Sequence, residues 1–554
     1  MPAPGPYTPA VTLLCVSIMA DDAEAALRLA TLARDRGADM IEFRLDHLLP
    51  DDPTDEQFGD ITRLISACPL PCIATCRPLH EGGDFEGPDA VRLDLFRRLA
   101  TAEHPPRWID LELSTLERDA ELARQLLGIF TPEAAAGDSE LTSSLVVSTH
   151  DFKSRPADLY QRLERMRRFE PAKTNKIAWM ARSVRDNLDL FELLSERDRP
   201  TIALAMGEAG ILSRVLAPKF GGFLTFASLE PTAVTAPGQP TLDELLNLYN
   251  IRAITRATCV YGVVGWPVEQ SKSPLLHNCA FNQPHPSDHT ARAHDGVYLP
   301  LPVAPGWESF KATLGALVDH PTLDFRGASV TIPHKEHLLR LAQERECEGW
   351  ITDPLAARIG AANTLARRDD GSWLITNTDA PAITVCLRRT MGDGLQGRRI
   401  AIIGAGGVAR AAACAVSDAG ATAVIYNRTQ QRAEMLAAEL KGAGKIVAAP
   451  WNKLHQSCAE AYINCTPIGM RGGPAPDKTP LDLDTLEDCQ PQTVIFDTVY
   501  NPTETPLLQA ARARNLPTID GVDMFIHQAA AQSELWTQRP APVELFERLM
   551  RDVV

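Results

Sequence analysis

The feature that most constrains this chain is residues 399–432, RIAIIGAGGVARAAACAVSDAGATAVIYNRTQQR. Arg399 to Ile403 is a short apolar run of the kind a buried parallel strand needs. Gly404, Gly406 and Ala409 then spell G-x-G-x-x-A. Small residues continue as a helix through Val416, and Ala423 to Tyr426 is a second apolar run. A strand, a glycine turn, a helix and a second strand make a dinucleotide-binding unit. The first glycine permits the turn, the second lets a pyrophosphate approach the backbone, and the third small residue lets helix and strand pack closely. Free N–H groups at the helix start face the phosphates. The second strand ends Asn427-Arg428-Thr429, with Arg432 close behind. An NAD-preferring site places a carboxylate there for the ribose hydroxyls. Two guanidinium groups and no carboxylate suit a 2′-phosphate, so the expected cofactor is NADP(H).

At 554 residues the chain exceeds a single core, and two to four domains are expected. A net charge of −16 argues against nucleic acid or an anionic membrane as partner. Small anionic substrates then need local arginines to overcome that field. The 12 cysteines show no disulfide framework, which reads as a reducing cytoplasm. The first twenty residues carry no basic region before their apolar run, so no signal peptide is expected, and no apolar run reaches transmembrane length. Cys68, Cys72 and Cys76 are spaced by four, which is not a zinc pattern, and read as buried thiols. His285, His289 and His294 sit in a polar, proline-bearing stretch that reads as an inserted surface loop. No metal is expected at either place.

Ahead of the nucleotide unit, apolar β-rich runs recur from residue 11. They are Leu13–Met19, Met40–Leu45, Cys72–Arg77, Trp108–Leu113, Leu145–Thr149, Lys176–Met180, Thr201–Met206 and Phe223–Ala227. Amphipathic segments such as Ala23–Arg36 and Leu188–Glu196 lie between several of them. Eight strands alternating with helices over about 230 residues is the count of a (β/α)8 barrel, with an open doubly wound sheet as the competitor. In a barrel the chemistry sits where strands end. Polar residues fall there: Glu42 and Arg44, Arg77 and Glu81, Asp110 and Glu112, His150, Arg214, then Gln239. Lys176 opens an otherwise apolar strand, where a charge is costly unless paired or used. A buried lysine is a candidate Schiff-base nucleophile and a nearby histidine a proton shuttle. The plain alternative is a strand-end lysine reaching water.

The ordered motifs EFRLD, CRPLHEGG, IDLEL, STHDF, NKIAWMA, MGEAGILSR and APGQ resemble type I 3-dehydroquinate dehydratase across nearly all of residues 11–250. The resemblance implies Lys176 as the imine-forming lysine, His150 as general acid/base and Glu81 as the carboxylate that orients it. It places Arg214 and Gln239 on the substrate carboxylate and Glu42, Arg44 and Arg77 on its ring hydroxyls. Thr235 stands where the family often has Ser, and a hydroxyl is kept.

The second half opens with a strand at Cys259–Gly265, then Ser271-Lys272-Ser273-Pro274. A strand at Gly327–Pro333 leads into His334-Lys335, and Asn363 and Asp379 follow before the nucleotide unit. Hydroxyl and amide side chains suit a polyhydroxylated ring, because they both donate and accept. Lys335 and Asp379 form either a proton-transfer pair or a surface ion pair. SKSPLLHN, SVTIPHK, GAANTL, NTDA, GAGGVAR, NRTQQR, INCTPIGM and GVDMFIHQAA resemble shikimate dehydrogenase over about residues 259–550. The resemblance implies Lys335 and Asp379 as the catalytic dyad. It implies substrate contacts from Ser271, Ser273, Thr331, Asn363, Tyr500 and Gln528. Cofactor contacts fall on Gly404, Ala405, Gly406, Gly407, Asn427, Arg428, Thr429 and Arg432. Ser329 stands where many bacterial members have Asn, and Ala380 where Gly is usual after the Asp, which bears on local backbone geometry. Quinate-preferring relatives tend to lose the second serine; Ser273 is present, which favours shikimate.

The expected architecture is α/β: a (β/α)8 TIM barrel over 1–256, a substrate-binding domain over 257–385 and a Rossmann NADP-binding domain over 386–554 whose C-terminal helices return to the substrate domain. The segment Thr241–Ile254 reads as the last barrel helix and Thr255–Thr258 as a short join. The expected function is a bifunctional enzyme. It dehydrates 3-dehydroquinate to 3-dehydroshikimate and reduces that ketone to shikimate with NADPH. A non-catalytic sensor of these metabolites and a quinate-directed dehydrogenase are the alternatives.

Overall fold

The computed structural model describes residues 11–130, 143–232, 235–285, 287–440, 444–486 and 490–553. Half of the stretch read for a signal peptide, and Ala233 and Val234 just before Thr235, lie outside them. The chain divides into two compact units that meet in sequence at Thr258 and Cys259.

The first unit is a parallel barrel. Its strands are β1 (Leu13–Ile18), β2 (Met40–Arg44), β3 (Cys72–Thr75), β4 (Trp108–Glu112), β5 (Ser144–Asp151), β6 (Ala172–Met180), β7 (Thr201–Met206) and β8 (Leu224–Ala227). They pair in the order β7-β6-β5-β4-β3-β2-β1-β8. Phe223 N–H donates to Thr201 O at 2.9 Å, which draws β8 back to β7 and closes the ring. These strands read as apolar runs because a barrel strand is covered on both faces. Side chains alternate, so residues two apart share a face. Glu42 and Arg44, Asp110 and Glu112, and Ser148 and His150 are such pairs.

Two sequence readings of this unit need correction. Lys176 does not open its strand. It is the fifth residue of nine in β6, and at 6% exposure it does not reach water. The segment 241–254 is not one helix. It is a short helical piece containing the wide turn Glu244–Leu248, then a single tight turn at Ile251–Ala253. Asn250 takes φ +47°, a left-handed conformation that ends a helix.

The second unit holds two sheets. One is mixed, in the order Gly296–Pro302, Cys259–Gly265, Phe325–Val330, Thr364–Arg367, Trp373–Thr376, Trp350–Thr352. Its Phe325–Val330 strand stops short of Pro333, where the chain turns into the helix Lys335–Glu344. The other is fully parallel, in the order Ile446–Ala448, Thr422–Tyr426, Arg399–Ile403, Ala461–Asn464, Val494–Asp497, Thr518–Ile519. Numbered within this sheet that is 3-2-1-4-5-6, the doubly wound order whose crevice lies beside the first strand. The helix Gly521–Thr537 packs back on the mixed sheet, where Trp536 Nε1 donates to Leu365 O at 3.0 Å. The stretch around His285 is a small antiparallel hairpin, Pro284–His285 with Asp288–Arg292, rather than a loop. Arg539 Nη2 lies 2.6 Å from His285 Nε2, and Tyr261 OH lies 3.0 Å from His294 Nε2. The His289 side chain lies outside the described set. No helix among the described residues is long and apolar enough to cross a membrane.

Candidate active sites

The barrel strands deliver their polar ends to one cavity of about 550 Å³, counting the part open to solvent. That is the size range of small-molecule pockets. Glu42, Arg44, Arg77, Glu81, His150, Lys176, Arg214, Thr235 and Gln239 all line it. Lys176 Nζ donates to Glu42 Oε1 at 2.9 Å and Asp110 Oδ2 at 3.1 Å, and sits 4.6 Å from the Phe226 ring centroid. Glu42 also accepts from Ser17 Oγ at 2.6 Å and Thr75 Oγ1 at 3.1 Å. Burial alone would raise the Glu42 carboxyl. The Lys176 ammonium outweighs it and holds the group down at about 2. Arg77 Nη1 donates to Glu112 Oε1 at 2.9 Å and Ser148 Oγ at 2.8 Å. Glu112 is shared with the buried Arg92 from beneath.

His150 Nδ1 lies 3.3 Å from Glu81 Oε2, and Ser114 Oγ donates to Glu81 Oε1 at 2.6 Å. Burial, then the nearby Arg77 charge, push the imidazole below its usual range, against the pull of Glu81. The ring is therefore neutral at neutral pH and free to take a proton. Arg44 is gripped by Asp46 at 3.0 and 2.7 Å. Arg214, on the helix Ile211–Val215, is 1% exposed, and its Nε and Nη2 have no hydrogen-bond partner among the described residues. Burial brings it down to about 10. Gln239 Oε1 accepts from Thr235 Oγ1 at 2.9 Å, while its buried Nε2 is unpartnered among the described residues.

In the second unit Lys335 is the first residue of its helix, and its Nζ donates directly to Asp379 Oδ2. Asn363 Nδ2 donates to Asp379 Oδ1 at 2.9 Å and to Gln528 Oε1 at 3.4 Å. Ser271 Oγ accepts from Ser273 N–H at 3.3 Å, and burial raises the hydroxyls of Tyr500 and Tyr298 against the opposing influence of Ser271 on the first and of Ser329 and Ser273 on the second. The Thr331 hydroxyl has no hydrogen-bond partner among the described residues. Ser329 donates to Gln532 Oε1 at 2.8 Å and contacts Tyr298 OH at 2.6 Å, so this buried serine is held between two side chains. Ala380 is an ordinary helical residue whose N–H donates to Asn377 Oδ1 at 3.1 Å, so the backbone there needs no glycine. Tyr298 and Gln532 were not singled out from the sequence. Gln532 was findable, being one helical turn beyond Gln528.

The nucleotide turn fits a dinucleotide. Gly404 adopts φ +121°, and Gly406 opens on free space in which a Cβ would meet nothing within 4 Å. The helix Gly407–Asp418 starts beside Lys335: a Cβ on Gly407 would meet Lys335 Cδ at 3.1 Å. Asn427 Nδ2 caps the next turn by donating to Thr429 O at 2.9 Å. Arg428 and Arg432 are exposed, and neither guanidinium has an ion pair among the described residues.

Family models match in the same layout. Type I 3-dehydroquinase matches residues 14–256, the shikimate dehydrogenase substrate binding domain 263–365, shikimate / quinate 5-dehydrogenase 387–470, and the shikimate 5'-dehydrogenase C-terminal domain 521–551. A bifunctional 3-dehydroquinate dehydratase/shikimate dehydrogenase of Arabidopsis thaliana, named as chloroplastic, is 35% identical over 97% of this chain and 84% of its own length. A shikimate dehydrogenase (NADP(+)) of Paramagnetospirillum magneticum is 41% identical over 50% of this chain and 93% of its own. A solved shikimate dehydrogenase of Thermus thermophilus, in complex with NADP(H) and shikimate, is 29% identical over 54% of this chain and 100% of its own, with a TM-score of 0.43. One relative thus spans both units at this identity, and the chain belongs to the bifunctional 3-dehydroquinate dehydratase/shikimate dehydrogenases, with NADP as the cofactor of its second activity.

Proposed function

We propose that the barrel cavity dehydrates 3-dehydroquinate through an imine on Lys176. The supporting observation is a buried amine flanked by two carboxylates, in a cavity that also holds a neutral His150 backed by Glu81. An imine acidifies the neighbouring C–H better than the ketone does. His150 takes that proton, an enamine forms, and the β-hydroxyl leaves as water with a proton from His150. Hydrolysis then frees Lys176. Arg214 and the open Gln239 amide hold the substrate carboxylate, Thr235 holds Gln239, and Glu42, Arg44 and Arg77 take the ring hydroxyls. Borohydride added with 3-dehydroquinate is expected to leave a reduced adduct mass on the Lys176 peptide. An unmodified peptide at full substrate occupancy refutes this reading.

Arg214 gives a second expectation. A fall from 12.5 to about 10 corresponds to about 3 kcal/mol spent on keeping the ligand-free guanidinium charged. Arg214→Leu is therefore expected to raise the thermal stability of the barrel while raising KM for 3-dehydroquinate by about 100-fold or more. Hydrogen exchange of barrel peptides on heating, beside steady-state rates, measures both. A loss of stability together with an unchanged KM counts against the assignment.

The second unit carries the reduction. Ser271, Ser273, Thr331, Asn363, Tyr500 and Gln528 hold the ring of 3-dehydroshikimate. NADPH supplies a hydride to the ketone when bound. Lys335, held by Asp379, gives its proton to the oxygen that becomes the new hydroxyl. Gly404, Ala405, Gly406 and Gly407 receive the pyrophosphate, and Asn427, Arg428, Thr429 and Arg432 surround the 2′-phosphate. Replacing Arg428 and Arg432 together by Ala is expected to raise KM for NADPH by about 10- to 100-fold and to leave KM for NADH nearly unchanged. Equal effects on the two nucleotides refute the phosphate assignment.

A further inference from the structure

We propose that Asp110 is the counter-ion of the Lys176 imine, a catalytic residue that keeps the last N–H of that nitrogen while Glu42 is released to the substrate. This rests on the imine reading above and adds a residue to it. Proton counting carries it. The Lys176 ammonium has three N–H bonds and donates to two carboxylates, Glu42 Oε1 and Asp110 Oδ2. When the amine condenses with a ketone, a C–N bond forms and the C–O bond breaks. The oxygen leaves as water with two of the three protons, and the protonated imine keeps one N–H and the positive charge. One carboxylate must therefore lose its donor.

The surroundings decide which one. Glu42 Oε1 still accepts from Thr75 Oγ1 at 3.1 Å, and Oε2 from Ser17 Oγ at 2.6 Å. Asp110 Oδ2 has no donor but Lys176 among the described residues, whereas its Oδ1 accepts from Ser148 Oγ at 2.6 Å and lies 3.0 Å from Arg77 Nη1. Asp110 has no exposed surface, so losing Lys176 strands an anionic oxygen in a dry site, the costliest outcome available. Glu42 lines the cavity and is free to exchange Lys176 for a substrate hydroxyl. Burial favours the protonated form of Asp110, but Arg77 and Lys176 together hold it well below the usual carboxylate range, so it stays an anion.

The test uses the full chain without NADPH, following the conjugated enone product and borohydride trapping with 3-dehydroquinate. Asp110→Asn is expected to lower kcat about 100-fold, with KM within about threefold and slower accumulation of the Lys176 adduct. Ser148→Ala, which loosens Asp110 without removing it, is expected to lower kcat about 10-fold at unchanged KM, and stands in should Asp110→Asn not fold. Asp110→Glu is expected to recover part of the loss. Glu42→Gln serves as the contrast and is expected to act mainly on KM. A kcat within about threefold of the parent in Asp110→Asn, or in Ser148→Ala where Asp110→Asn does not fold, overturns the assignment while wild-type trapping leaves the imine intact. Absence of any adduct on the wild-type chain overturns both.

Discussion

Lys176→Ala is expected to reduce dehydration of 3-dehydroquinate by on the order of 10⁴-fold or more, and to leave NADP-linked oxidation of shikimate unchanged. The size follows from the chemistry: without an amine there is no imine, and the remaining groups act on a plain ketone. The separation of effects follows from the fold, because Lys176 belongs to the first compact unit and Lys335 and Asp379 to the second. The variant also carries an electrostatic signature. Glu42 sits at about 2 because Lys176 outweighs its burial. A carboxyl depressed in the folded state adds stability above its unfolded value of about 4.3 and loses it as pH falls through about 2. Without Lys176 that contribution vanishes, and Glu42 and Asp110 are left as adjacent buried acids, at a cost of about 3–5 kcal/mol if both stay charged. The barrel of the variant, read by hydrogen exchange of its peptides, should therefore be less stable than the parent's near neutral pH and recover part of that deficit as pH falls and the two acids take up protons. Loss of shikimate oxidation along with dehydration would refute the independence of the two activities.

The sequence and the structure agree where burial writes itself into composition. Eight apolar runs are visible because barrel strands are covered on both faces, and the phosphate turn because only small residues fit it. They part where a residue's role depends on a partner far along the chain. Lys176 read as a strand opener, since the polar residues before it, Thr174 and Asn175, hid the first half of β6; both are buried. Its pairing with Glu42 spans 134 positions and exists only once the ring closes. Asp110 looked like one more polar strand end, and nothing local marks it as the second acceptor of the lysine. The segment after β8 showed helical spacing at Leu242, Leu245 and Tyr249, but Asn250 turns left-handed and stops it. Tyr298 was concealed in an apolar strand, Gly296–Pro302, where an aromatic residue reads as core; its hydroxyl reaches Ser329 from there.

Replacing Lys335 by Ala is expected to cost shikimate oxidation about 10³-fold or more, close to 4 kcal/mol of barrier, with dehydration untouched. Lys335 is placed by three independent constraints. The strand Phe325–Val330 ends and a short turn starts the helix with Lys335 as its first residue. Asp379 accepts from its ammonium, and Asp379 is in turn fixed by Asn363, whose side-chain oxygen accepts from Thr378 N–H at 2.8 Å. The third is the glycine at position 407, where any side chain would press on the lysine stem. Asp379→Asn tests the same arrangement differently. It keeps the shape and a hydrogen-bond acceptor but removes the charge, so the expected loss is smaller, about 10²-fold, and lies in kcat with KM nearly constant. A methyl group at position 407 would lie 3.1 Å from Lys335 Cδ, so the lysine stem would have to give by a few tenths of an ångström. Should Lys335→Ala retain more than about a tenth of the parental rate, proton delivery must come from another group and the dyad reading fails.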